Sequence, residues 1–141
     1  MRQAILIASL IFLAVPGLAQ ESLSGEKKAN PPLVLHMTAK DFEFDPPEIH
    51  VRQGTNVNLL VTSLDRTHGI HINPFPDGAA PNTPPGLSFF DGQDCYKLKK
   101  GEQVTVEFTA YDPGSYSFKC CKLCGSGHKK MVGKIVVDAV K

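Results

Sequence analysis

The residues best suited to chemistry are soft metal ligands gathered in one short segment. Two cysteines, a histidine and a methionine follow one another with the spacing C-x3-C-x3-H-x2-M, at Cys120, Cys124, His128 and Met131. A further histidine, His68, lies far upstream. Copper prefers thiolate and thioether ligands, and imidazole suits both copper and zinc. The segment therefore predicts a metal site, with copper as the first expectation.

Two predicted strands must hold this segment. One alternation of apolar and polar residues ends at Cys120, and a last one begins directly after Met131. The loop between those strands therefore carries four candidate ligands. His68 follows another apolar run that ends in Val61-Thr62-Ser63. We expect this distant ligand to meet the loop at one end of the domain, because loops supply ligands while rigid strands position them.

Short strands with one buried face account for most of the chain after residue 32. Period-2 alternation marks such strands, and the alternating apolar positions are Val57, Leu59, Val61, Val104, Val106, Phe108, Ala110, Tyr116, Phe118, Cys120, Ile135 and Val137. Turn sequences such as Asp112-Pro113-Gly114 separate them. About seven short strands in about 110 residues predict an all-β fold, an antiparallel β-sandwich.

One segment interrupts this alternation. Residues 73–94 contain five prolines and little periodicity. A loop of this length in a compact domain is usually functional or disordered. Because it follows His68 closely, we expect it to lie at the metal end of the sandwich.

The N-terminal residues predict export. An apolar run over residues 4–15 precedes a small-residue cleavage site at Gly17-Leu18-Ala19, so residues 1–19 are interpreted as a signal peptide. The run is shorter than the roughly 20 residues of a membrane span, and an uncleaved anchor is the alternative. Residues 20–32 are polar, end in two prolines and predict a flexible leader to a single domain at residues 33–141.

Charge balance excludes one broad class of function. The chain of 141 residues carries 15 basic and 14 acidic residues. Residues 1–19 hold Arg2 and no acid, so the remainder has a formal charge of zero. General nucleic-acid binders usually carry a basic excess, and we do not expect this function. We expect the protein to be in the periplasm or outside the cell.

The motif and its surroundings resemble a known family. G-x-Y-x-F-x-C precedes the ligand loop at residues 114–120, G-K-I-V-V follows it at residues 133–137, and TSLDRTHGIH surrounds the upstream histidine at residues 62–71. Over roughly residues 42–138 the chain resembles the copper A (CuA) domain of cytochrome c oxidase subunit II, in the cupredoxin superfamily. The resemblance implies a cupredoxin-like Greek-key β-sandwich with the metal site at one end.

The same resemblance implies a binuclear copper centre. The implied metal ligands are His68, Cys120, Lys122 through its backbone carbonyl, Cys124, His128 and Met131. The two cysteines would bridge two copper ions, and each histidine would bind one of them. The methionine and the carbonyl would be weak ligands, one on each copper.

The function implied is electron transfer. We expect a soluble, monomeric periplasmic carrier whose partner is a redox protein such as a cytochrome or an oxidase subunit. Two alternatives stay open: subunit II of a terminal cytochrome c oxidase retained by an N-terminal anchor, and a periplasmic copper delivery or storage protein. No independent catalysis is expected, at most electron entry into an oxidase. A membrane is expected as a partner only if the N-terminal segment stays uncleaved.

The cysteines leave other readings open. Four cysteines in an exported chain can form two disulfides, and two cysteines with two histidines can hold zinc, although Met131 would then have no role. Cys95 and Cys121 fall outside the motif. We expect them to form a disulfide that ties the long loop to the copper end. Free thiols, or transient copper transfer through Cys121, are the alternatives.

Other polar residues near the motif have simpler interpretations. His36, His50 and His71 are expected to be surface groups or neighbours of the site and not ligands. The lysines around the ligand loop are Lys119, Lys122, Lys129 and Lys130. If His128 is the electron port, they would frame it and repel a strongly basic cytochrome. We therefore expect a neutral or acidic redox partner.

Overall fold

The fold consists of ten strands and one short 3-10 helix within residues 30–141, the part of the chain that the computed structural model describes. The predicted signal peptide, residues 1–19, and most of the predicted leader, residues 20–32, lie outside that part. The strands are β1 Leu33–Lys40, β2 Glu43–Asp45, β3 Glu48–Arg52, β4 Thr55–Ser63, β5 His68–Ile72, β6 Leu87–Phe89, β7 Tyr96–Leu98, β8 Gln103–Ala110, β9 Gly114–Lys119 and β10 Val132–Asp138. The 3-10 helix spans His128–Lys130.

The strands form two five-stranded sheets that enclose one apolar core. One sheet has the order β2-β1-β4-β8-β6, and the other has the order β3-β10-β9-β5-β7. In β4, the period-2 residues are the buried ones: Val57, Leu59 and Val61 are all 0% exposed. The predicted β-sandwich is confirmed. Within residues 30–141 there is no helix with the length and apolar character needed to cross a membrane.

Two strand pairs depart from the expected antiparallel pattern. β1 pairs with β4 in parallel, and β3 pairs with β10 in parallel, while the remaining pairs are antiparallel. Alternation in a sequence shows which side chains face the core, but not which strand lies alongside or in which direction it runs. The sheets are therefore mixed.

The segment at residues 73–94 does not lie mainly at the metal end, and that prediction is wrong for most of it. It continues the line of β5 down β9: Asn73 N–H donates to Ser117 O at 2.9 Å, and Asp77 N–H donates to Ser115 O at 2.7 Å. It then forms β6, whose Leu87 pairs with Ala110 at the opposite end of β8. Because β9 runs from the far end to the metal end, the segment leaves the site and returns to it only near Cys95.

Candidate metal centre

Two segments, the start of β5 and the loop that follows β9, bring the predicted ligands to one end of the sandwich. His68 opens β5, and Cys120 directly follows β9. Ligand atoms of His68, Cys120 and Cys124 all lie within 4.8 Å of one another, and all three residues are buried. His68 was expected to follow a strand; it instead begins one, since four residues separate it from the end of β4 at Ser63.

The loop between β9 and β10, residues 120–131, turns its candidate metal ligands toward the interior of the domain. The Sγ atoms of Cys120 and Cys124 are 3.6 Å apart, and Cys124 Sγ is 3.7 Å from Nδ1 of His128. The Cys120 thiol donates to the backbone carbonyl of Lys122 at 3.1 Å. Met131 is fully buried where the loop enters β10, and its carbonyl accepts the N–H of Cys120 at 2.9 Å. Both ends of the loop are thereby tied together.

The two ring nitrogens of His68 are arranged as in a metal-binding histidine. Its side chain is 0% exposed, and its Nε2 lies 2.6 Å from Oδ1 of Asp65. Its other ring nitrogen, Nδ1, is buried without a hydrogen-bond partner in the described part of the chain. A buried polar atom without a partner is rare and costs about 1–3 kcal/mol. A ring nitrogen freed on one side and held by a carboxylate on the other is the usual arrangement of a metal-binding histidine.

Asp65 holds His68 in that state, and sequence reasoning did not assign it a role. Partial burial raises the pKa of the Asp65 carboxyl, but hydrogen bonds from His68, the Asp41 backbone and Arg66 outweigh it and hold the pKa well below its usual range. An ionised carboxylate only accepts hydrogen bonds, so Nε2 of His68 is the donor to Asp65, and Nδ1 is the ring nitrogen that could bind a metal. A carboxylate three residues before a candidate histidine was the available signal.

The Cys124 thiol resists ionisation in this environment. Burial raises the pKa of the Cys124 thiol to about 11, and the neighbouring Cys120 thiol adds to the effect. Thiolates are the form that binds metals. Metal binding at neutral pH must therefore release protons from this site.

The hairpin between β1 and β2 covers the ligand loop. Asp41 and Phe42 form its turn with positive φ values of 52° and 66°, a conformation that costs a residue other than glycine about 1–3 kcal/mol. The Phe42 ring packs against Gly125, where a Cβ atom would lie 2.9 Å from the ring, and against Gly127. The Arg66 guanidinium lies over the same ring, 4.9 Å from its centroid. The ligand loop is thus covered as well as tied at its ends.

The four cysteines divide as expected. Cys95 and Cys121 form a disulfide, with Cα atoms 6.0 Å apart, while Cys120 and Cys124 are free and buried. The reading with two disulfides is therefore wrong. Cys121 is not available to pass copper to the site while it is in the disulfide.

The other three histidines lie outside this cluster. His50 contacts Glu48 and Asp138, and His71 contacts Asp94. His36 is exposed on β1. None of them is among the residues whose ligand atoms converge in the described part of the chain.

Comparisons with known proteins agree with the fold and the motif. Residues 4–137 match the family model of the cupredoxin-like domain. Cytochrome c oxidase subunit 2 of Thermus thermophilus is 32% identical over 103 residues, which are 73% of this chain and 64% of that relative. A second sequence of the subunit from the same organism is equally similar and is covered to 51%. The chain thus spans less than two thirds of these curated relatives, which confirm the resemblance to subunit II.

Two solved structures share the fold at lower identity. A chain of a heme-copper terminal oxidase dimer aligns with a TM-score of 0.55 at 23% identity, over 94% of this chain and 79% of that chain. Reduced auracyanin from the photosynthetic bacterium Roseiflexus castenholzii aligns with a TM-score of 0.55 at 21% identity, over 77% of this chain and 99% of that chain. The soft donor set fits copper, and its donors lie at one end of a two-sheet sandwich. The chain belongs to the cupredoxin-like domain family.

Proposed function

We propose that this protein transfers electrons through a binuclear, CuA-type copper centre. The observation that carries the proposal is the buried convergence of His68, Cys120 and Cys124, with Nδ1 of His68 lacking a hydrogen-bond partner among the residues that the structure describes. The resemblance of the ligand motif to the CuA domain supports two copper ions in place of one. Zinc could use the same two cysteines and two histidines. The Met131 thioether and thiolates that can bridge two ions favour copper.

The residues of the chain would hold the metals and keep water away. The thiolates of Cys120 and Cys124 would bridge the coppers, while His68 and His128 would each bind one. Met131 and the Lys122 carbonyl would supply the two weak ligands. Such a copper pair accepts and releases one electron that both ions share. Asp65 fixes the ring of His68. The side chains of His68, Cys120 and Cys124 are buried, so the metal ligands would lie in a dry, low-dielectric setting.

We further propose that the carrier is soluble and works in the periplasm. A disulfide at Cys95–Cys121 is typical of oxidising compartments, and residues 1–19 have the composition of a cleaved signal. The alternative favoured by the relatives is an oxidase subunit retained by its N-terminus. The mass of the protein isolated from membrane and soluble fractions distinguishes the two, since only the carrier loses residues 1–19 and stays in the soluble fraction.

The surface over the metal end fits a partner with a neutral or acidic face. Leu123 is 92% exposed in the middle of the ligand loop. Four lysines near it in the sequence form no ion pair among the described residues: Lys119, Lys122, Lys129 and Lys130. An apolar contact with a charged rim suits a transient complex, because the rim charges set the association rate and the choice of partner. His128, partly exposed beside them, would be the port.

Metal analysis with electron paramagnetic resonance of the copper-loaded protein tests the proposal. We expect two coppers per chain and a signal from one unpaired electron shared equally by both. Protein loaded with zinc is the matched control for the optical and magnetic background. A single copper per chain, or a preference for zinc when both metals are offered, would overturn the proposal.

A further inference from the structure

The Cys95–Cys121 disulfide lies outside the proposed donor set but directly beside it. Cys121 follows Cys120 in the chain, and Cys95 directly precedes β7. β7 pairs with β5, so that Leu98 lies opposite His68 and Lys97 lies opposite Gly69. The disulfide therefore joins the ligand loop to the strand that runs alongside His68.

Gly69 is the surface on which this disulfide rests. A Cβ atom at Gly69 would lie 2.8 Å from Cys121 Sγ, 2.8 Å from Lys122 Cγ and 3.3 Å from Cys95 Sγ. The N–H of Cys121 also points to the Gly69 carbonyl, at 3.4 Å. Because Gly69 follows His68, the disulfide packs against the backbone next to the histidine ligand. Only glycine leaves room for this contact.

The ligand loop has few other backbone contacts at this point. The Cys120 N–H bonds Met131 O at 2.9 Å, but the next bond, from Cys121 to Gly69, is long at 3.4 Å. Leu123, two residues on, is almost fully exposed. Regular sheet pairing therefore ends at β9. Beyond it, the Cys95–Cys121 disulfide holds the loop against β5.

We propose that the Cys95–Cys121 disulfide is a positioning device for the metal centre, a role that rests on the copper function proposed above. It holds Cys120 and the Lys122 carbonyl in register with His68 before metal binds. It also removes the Cys121 thiol from competition with the adjacent Cys120 thiol for copper.

Three variants of the whole protein separate these effects: Cys121→Ser, Cys95→Ser, and both together. In the metal-free protein, we expect amides of residues 120–124 to exchange hydrogen at least tenfold faster in all three. In the copper-loaded protein, we expect copper to pass to a chelator at least tenfold faster. Cys95→Ser alone leaves a free thiol at Cys121, and we expect it to add a second, heterogeneous copper signal that Cys121→Ser lacks.

A matched control separates positioning from general stability. Leu87→Ala truncates a buried side chain at the far end of the sandwich. It should lower the melting temperature without changing exchange at residues 120–124 or the shape of the copper signal. If a cysteine variant does not fold, Gly69→Ala takes its place in the test. This variant keeps both cysteines but crowds the disulfide, so it should also release copper faster than the wild type.

The outcomes keep the two proposals apart. Variants that match the wild type, or match Leu87→Ala at equal loss of melting temperature, overturn the positioning role. If the wild type binds no copper pair, the copper function fails, and exchange in the metal-free protein still decides whether the disulfide orders the loop. If Cys95→Ser gives the same single signal as Cys121→Ser, the competition role fails.

Discussion

The two ends of the sandwich follow different rules. At the far end, polar groups are paired: the Tyr116 hydroxyl donates to Asp112 O at 2.7 Å, and the Asp77 carboxylate accepts from Ser115 and from the Ser117 N–H. At the metal end, His68 Nδ1 is buried with no hydrogen-bond partner within residues 30–141, and Leu123 is 92% exposed. Departures from good packing and satisfied polar groups gather where a protein functions.

Both the His68 Nδ1 atom and the Leu123 side chain at the metal end would gain a contact from a group outside this chain. A metal would satisfy His68, and a docked protein would cover Leu123. At the far end, the polar groups named above have partners within the chain, although Val140 is exposed there, at 63%. Substitutions at the two ends should therefore separate metal binding from stability, and the predictions below test this separation in order of effect.

The largest effect is expected from Cys124→Ser. The Sγ atoms of Cys120 and Cys124 are 3.6 Å apart and would bridge the two metals, and a serine hydroxyl is a poor ligand for copper. We expect the shared-electron signal to disappear in electron paramagnetic resonance, with at most one copper retained per chain. The metal-free protein should unfold at nearly the wild-type temperature. A retained two-copper signal would show that the bridge has been assigned to the wrong residues.

At the far end, Leu87→Ala should affect stability alone. Leu87 is 1% exposed and pairs with Ala110, and truncating a buried leucine costs about 2–5 kcal/mol in the free energy of unfolding. Urea unfolding of the metal-free protein measures this loss. The copper stoichiometry and signal should be those of the wild type. A changed signal would mean that the two ends are coupled through the core.

The sequence alone predicted the core and the ligands better than the connections between them. Alternation identified the buried residues of β4, β8, β9 and β10, because the side-chain period of a strand is a local property. The parallel pairs β1–β4 and β3–β10 were missed because partner and direction depend on the whole sandwich. The proline-rich path of residues 73–94 was misplaced because few local signals describe an irregular chain.

Asp65 shows the same limit at the site. The spacing of the cysteines with His128 pointed to metal chemistry, but the role of Asp65 appears only once β5 places His68 above it at 2.6 Å. The Cys95–Cys121 pair was expected from two leftover cysteines, while its contact with Gly69 depends on the β5–β7 register. Which residues support a ligand depends on what lies beside that ligand in three dimensions, and a single sequence does not show this.

Asp65→Asn should weaken the metal site without removing it. The carboxylate that orients His68 becomes an amide, which is neutral and can present either oxygen or nitrogen. Loss of such a supporting carboxylate typically costs about 10- to 100-fold in metal affinity. Competition with a copper chelator measures the change. Asp91→Asn is the matched control, since Asp91 accepts a hydrogen bond from Tyr96 outside the donor set; equal losses in both variants would contradict a special role for Asp65.

Leu123→Ser should slow electron exchange with a redox partner and leave the copper signal unchanged. Losing a partly covered leucine contact is worth about 1 kcal/mol, or roughly fivefold in affinity. Stopped-flow mixing with an acidic redox protein measures the rate. Val140→Ser is the control, because Val140 is 63% exposed and lies beyond β10 at the far end. An equal effect of both substitutions would place docking elsewhere.

The smallest effect is expected from His50→Gln, on the β3–β10 edge away from the donors. Hydrogen bonds from the His50 ring to Glu48 and then to Asp138 raise the pKa of His50 above its ordinary value of 6.5. Protonated His50 therefore stabilises the fold below about pH 6.5, and this contribution is lost as the pH rises through the higher folded value. Hydrogen bonds from Lys134 and then from His50 lower the pKa of Glu48, so the stability that Glu48 contributes is present above its ordinary pKa and is lost only in stronger acid.

The variant should thus melt slightly earlier than the wild type at pH 6 and like it at pH 8.5. All these side chains are largely exposed, so the difference should shrink in high salt. Melting curves at both pH values, at low and high salt, measure it. The copper signal should not change, because His50 lies opposite Val136 of β10, five residues beyond Met131. A pH-dependent change in copper binding in this variant would show that the edge and the metal end are not independent.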